Sequence, residues 1–168
     1  MGRAERLAER IDAFVDLAGR FTAWSSLTLA LVMAGNVLLR YVFHTGSVWS
    51  QELEWHLMAP ISLLGMSYAL RHGEHVRVDV LFAGLSPRAK NFVELVSSLL
   101  LIAISLVVIR LAIPYVMQSW WIGEGSANPG GIPARYILKA LIPLGFALMA
   151  VQGVGQAIRY YLAWRRAA

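Results

Sequence analysis

The sequence predicts an all-α integral membrane protein with four transmembrane helices, preceded by an amphipathic helix on the membrane surface. Three observations predict it. Of 168 residues, 58% are hydrophobic and only 15% are Asp, Glu, Lys or Arg, against roughly 25% charged in a soluble domain; mean hydropathy is +0.57. Charge is also confined: between Phe21 and Gln51 only Arg40 is charged, and nothing acidic follows Glu124. Finally, several apolar stretches reach the ~20 residues that a helix rising ~1.5 Å per residue needs to cross a ~30 Å hydrocarbon core. The chain is short enough for one membrane domain. It has no cysteine, which excludes disulfides, thiolate metal sites and thiol catalysis. A net charge of +5 would suit a nucleic-acid partner, but the basic residues lie where a membrane protein uses them for orientation, so the partner is the lipid bilayer and no nucleic acid is expected.

Residues 1–20 come first. Leu7, Ile11, Phe14, Val15, Ala18 and Phe21 recur at helical spacing with Arg and acidic residues opposite, which predicts an interfacial amphipathic helix. Glu5, Glu9, Asp12 and Asp16 argue against a cleaved signal peptide. Gly19 is placed to turn the chain into the first span, 21–43. The second span, 52–70, begins with Glu52, Glu54 and His56, so that end belongs at an interface or against protein. Gly73 is placed to cap it, and Ser86-Pro87 supplies an N-cap and first-turn pair for the third helix. That helix carries span 93–117; running from residue 87 to 121 it is ~50 Å long and must tilt, kink or project. The fourth span is 134–162. Pro60, Pro114 and Pro143 read as kinks.

Basic residues set the orientation. Arg3, Arg6, Arg10 and Arg20 precede span one; Arg71, Arg77, Arg88 and Lys90 occupy the central connection; Arg159, Arg165 and Arg166 close the chain. The connections 44–51 and 118–133 hold no Lys or Arg. Both termini are therefore expected in the cytoplasm, and an even number of spans independently requires that they share a side. Arg135 and Lys139, at the outer end of span four, oppose this bias without reversing it.

Few polar residues remain for chemistry. Arg40 and the Glu52–Glu54 pair should meet near the outer interface, with Asn36 one helical turn from Arg40; a structural pairing is favoured over an ion or substrate site. Arg110 either snorkels or meets a carboxylate of another helix or protein. Trp120 and Trp121 form an interfacial belt or a docking surface before a glycine-rich loop, 123–131, that lacks the Lys-Ser or Lys-Thr of a phosphate loop. Gln152 and Gln156 are placed to bond a neighbouring helix, and Ala30 with Ala34, like Gly153 with Ala157, makes a small-residue stripe for close packing. No Asp or Glu lies centrally in any span, which argues against an autonomous ion-driven carrier. A haem-bearing membrane anchor ligated by His44 and His56 is the other alternative, although neither lies well inside an apolar helix.

Four stretches carry a resemblance: Leu39-Arg40-Tyr41-Val42-Phe43; Trp49-Ser50-Gln51-Glu52-Leu53-Glu54; Tyr68-Ala69-Leu70-Arg71-His72-Gly73-Glu74-His75-Val76-Arg77-Val78-Asp79-Val80-Leu81; and Pro143-Leu144-Gly145-Phe146-Ala147-Leu148-Met149. They closely resemble the small membrane subunit, Q or DctQ type, of tripartite ATP-independent periplasmic (TRAP) transporters of the bacterial inner membrane. The resemblance implies secondary active uptake of an organic acid. A periplasmic binding protein (P type) delivers the acid to a large sodium-coupled subunit (M type), and the small subunit serves as a scaffold with no enzyme activity or cofactor of its own. It further implies structural or interface roles for Arg40, Glu52, Arg71, Gly73, Glu74, His75, Arg77 and Asp79.

Overall fold

A computed structural model describes residues 2–73 and 84–166. These residues form four α-helices: α1 (Arg3–Val42), α2 (Val48–His72), α3 (Pro87–Trp121) and α4 (Arg135–Arg166). Three of them, α1, α3 and α4, are long and apolar enough to cross a membrane. In α2 the polar first turns and the Arg71-His72 end leave a shorter apolar run.

The helix ends follow their local chemistry. Gly73 closes α2 at φ 77°, ψ 10°, a left-handed conformation that costs an L side chain energy, and its N–H donates to the carbonyls of Ala69 and Leu70. The Ser86 hydroxyl accepts from Ala89 N–H at 3.3 Å, with Pro87 in the first turn of α3 where its missing donor is harmless. All three internal prolines lie within helices that continue past them.

The structure corrects the expected turn at Gly19. α1 is one continuous helix of 40 residues, ~60 Å long. A single glycine weakens a helix by only ~1 kcal/mol, and here the missing Cβ lets the Tyr68 ring of α2 lie directly on the α1 backbone. The apolar stripe of the leading segment divides between the inside and the outside of the bundle. Val15 packs with Leu64 and Leu148, with Ile11 and Ala18 alongside, while Leu7, Phe14 and Phe21 face outward at 50%, 56% and 59% exposure. The seam that packs inward is Ala8, Val15, Gly19, Thr22 and Ser25.

The same inversion holds throughout the bundle. Buried positions are mostly small or polar, while Leu, Ile, Val, Trp and Phe crowd the outside. Without a hydrophobic drive between helices in lipid, close backbone approach and internal hydrogen bonds do the packing. α3 meets α4 over its length through Ser98, Ser105, Ala112 and Ser119, one small residue every seven. α1, α2 and α4 pack mutually on the other side of α4. Three buried hydroxyls bond back along their own helices: Thr22 to the Gly19 carbonyl at 2.7 Å, Ser67 to Leu64 at 2.8 Å, Ser98 to Glu94 at 2.8 Å.

Candidate functional site

Polar side chains gather at the two ends of the bundle. At one end Glu52, in the first turns of α2 and only 4% exposed, is the centre. Its carboxylate accepts from the Ser126 hydroxyl, from Asn128 Nδ2 at 3.2 Å, from Ile132 N–H at 2.8 Å and from Arg135 Nη2 at 3.5 Å. A carboxylate is acceptor-only, so one side chain collects four donors and pins the 122–134 connection onto α2. Gly131 is required there, since a Cβ would overlap Ser126 and the Glu52 carboxylate. A second clamp lies beside it: Lys139 binds Glu124 and stacks over Tyr115 at 4.1 Å. That ammonium is the main reason the Glu124 carboxyl is held below its ordinary pKa.

Arg40 takes no part in this node, which overturns its expected pairing with Glu52 and Glu54. Glu54 instead accepts from Asn36 Nδ2 at 2.6 Å, and the same nitrogen donates to the Ser50 carbonyl at 3.1 Å. The shorter Asn36 occupies the α1–α2 contact one turn below, leaving Arg40 exposed with no ion pair among the described residues. Arg40 borders an open polar cleft of about 270 Å³ with Asn36, Ser47 and Gln51.

At the opposite end Arg71 binds Asp16 and donates to the Asp12 carbonyl at 2.8 Å, and Arg159 binds the Asp12 carboxylate at 2.5 Å. Gln152, fully buried, reaches Asp12 at 3.4 Å, and Gln156 donates to the Leu70 carbonyl at 3.0 Å. At this end α1, α2 and α4 are thereby fastened together. Both glutamines do bond to neighbouring helices.

The other nominated residues lie apart. Arg110 is exposed on the outer face of α3. Trp120 meets Tyr136 edge-on with centroids 4.6 Å apart, while Trp121 is 75% exposed. Of the small-residue stripes, Gly153 packs against Ile102, whereas Ala30 and Ala34 face outward. Glu74, His75, Arg77 and Asp79 lie outside the described residues. His56 Nδ1 lies 2.8 Å from the Glu52 carbonyl, and His44 is exposed. Sequence reasoning missed Ser126, Asn128, Arg135, Asp12 and Asp16 as partners. The only available signal was two carboxylates in a nominally amphipathic helix and a cation pair on an otherwise uncharged side.

A bundle with small and polar residues inside, large apolar residues outside and ion pairs at both ends is a multi-pass membrane protein. Residues 29–162 match the family described as tripartite ATP-independent periplasmic transporters, DctQ component. The chain belongs to that family. It is similar to the ectoine TRAP transporter small permease protein TeaB of Halomonas elongata, at 24% identity across 95% of this chain and 78% of TeaB. The C4-dicarboxylate TRAP transporter small permease protein DctQ of Vibrio cholerae is 24% identical across 83% of this chain and 69% of its own. The sialic acid TRAP transporter permease protein SiaT of Haemophilus influenzae is 29% identical over 75% of this chain, which spans only 21% of SiaT. These relatives are permease proteins rather than enzymes, and the haem-anchor and self-sufficient-carrier readings find no support among them.

Proposed function

We propose that this chain is the fixed small subunit of a TRAP permease in the bacterial inner membrane. All four helices cross the bilayer, α2 with its polar ends at the two interfaces, and both termini are cytoplasmic. It frames a large M-type subunit that carries sodium and an organic acid delivered by a periplasmic binding protein; it has no cofactor of its own. One observation carries this reading. A unit like this chain occurs in small permease proteins of similar length and also as about one fifth of the longer permease SiaT. Joining in one polypeptide is how two parts that work at fixed proportion are often arranged. The clamps at both ends suit a rigid frame, because they join three helices at one end and fasten a loop at the other. Substrates named for the relatives differ widely, from ectoine to sialic acid to C4-dicarboxylates, so substrate choice rests with other subunits.

The test is uptake in proteoliposomes holding this chain, its large subunit and its binding protein, with each omitted in turn. Sodium-dependent uptake should need all three. Transport by this chain alone, or undiminished transport without it, defeats the proposal.

A further inference from the structure

The first twenty residues look electrically neutral in sequence, with Arg3, Arg6, Arg10 and Arg20 balancing Glu5, Glu9, Asp12 and Asp16. The folded chain separates these charges. Arg166 engages Glu5, Arg71 and Arg159 engage Asp12, and Arg71 engages Asp16. Three of the four acids are thus neutralised by arginines of α2 and α4, leaving exposed Glu9 beside the outward arginines. Arg3, Arg6 and Arg10 stand at i, i+3 and i+7, on one face of α1, and with Leu7 they line an open groove of about 250 Å³. None of the three forms an ion pair among the described residues.

The same face continues as Phe14, Leu17, Phe21 and Trp24, exposed by 56%, 65%, 59% and 69%, with the exposed Arg20 at its edge. From Arg10 to Trp24 is ~21 Å along the helix, more than half of a ~30 Å hydrocarbon core. We propose that this stripe is a seat for an anionic phospholipid, whose phosphate rests on Arg3, Arg6 and Arg10 and whose acyl chain lies along Phe14 to Trp24. A guanidinium pairs with phosphate in a planar, two-bond fork, so three on one face suit a phosphodiester. The apolar track decides the ligand. A free anion would use only the arginines, and a water-soluble acidic peptide has no use for an exposed apolar stripe of this length.

The experiment compares full-length protein, purified in detergent and titrated with phosphatidylglycerol or phosphatidylcholine, by native mass spectrometry. Phosphatidylglycerol should bind at least about tenfold more tightly. In Arg3→Gln/Arg6→Gln/Arg10→Gln its affinity should fall on the order of a hundredfold, with helical content unchanged because no ion pair is removed. In Leu17→Ser/Phe21→Ser binding should weaken while the preference for phosphatidylglycerol survives. Equal binding of both lipids, or an unaffected triple variant, overturns the proposal. Displacement by excess inorganic phosphate, with no effect of the Leu17 and Phe21 changes, overturns it in favour of a free-anion site. Protection of the stripe by a co-purifying membrane subunit, with no lipid bound, overturns it in favour of a protein contact.

Discussion

At the scale of single residues, Glu52 shows why a carboxylate can be kept almost out of reach of water. Its four partners are all donors, so replacing one oxygen by an amide sets donor against donor. Glu52→Gln should therefore release the 122–134 connection, read as faster proteolysis and hydrogen exchange there with α3 and α4 unchanged. Unaltered protection would show that the loop is held by Lys139 and Glu124 instead. That second clamp has a pH signature. A carboxyl whose folded pKa lies below its unfolded value adds stability that is complete above the unfolded value and is lost as pH falls through the folded one. The loop should stay docked from neutral pH to about pH 5 and loosen only below about pH 4, the ordinary Glu range. Ala134 offers a third test: it holds φ 62° at the entry to α4, a conformation costing an L residue about 1–2 kcal/mol. Ala134→Gly should raise stability in thermal denaturation, by about 1 kcal/mol once glycine's greater unfolded freedom is counted. None of these partnerships was legible beforehand. Glu52 was visible as an anomaly at the edge of an apolar run, but its partners lie 74 to 83 residues away, and no local spacing encodes that.

At the scale of elements, helix boundaries were legible because their causes are local: a glycine free to take positive φ, a serine whose oxygen caps, a proline harmless in a first turn. The continuity of α1 was not legible, because Gly19 is ambiguous in isolation. It permits a turn and it permits close approach, and only the Tyr68 ring on α2 decides between them. The apolar stripe of α1 was legible but not its division: Ile11, Val15 and Ala18 pack inward while Leu7, Phe14 and Phe21 face outward, and only the neighbouring helices decide which is which. The α3–α4 seam tests this logic. Ser105 is fully buried in the series Ser98, Ser105, Ala112, Ser119. Ser105→Leu makes the sequence more hydrophobic but forces the helices apart, and should cost about 1–3 kcal/mol; Ser105→Ala should be nearly neutral. Denaturation in mixed micelles separates the two, and a stabilising Leu would refute seam packing by small residues.

At the scale of the whole molecule, the two polar nodes do different work. The Glu52 node ties a connection to a helix, whereas the one at the opposite end ties three helices together through Asp12, Arg71 and Arg159. Helices packed through small side chains, as α1 is through Ala8, Gly19, Thr22 and Ser25, can slide, since such a seam offers little to distinguish one register from the next. Ion pairs at a single level supply that distinction, which the fixed role proposed for this chain would need more than extra stability. Asp12→Asn removes the charge that Arg159 and Arg71 share; those groups are partly exposed, so solvent screening limits the loss to on the order of 1–2 kcal/mol. The larger effect should be positional. Hydrogen exchange should rise along residues 3–20 and around Arg71 in α2 and Arg159 in α4, leaving the Glu52 node protected, and transport by the complete complex should fall more than the amount of assembled complex does. If assembly and transport fall in equal measure, the clasp contributes stability alone and the register argument fails.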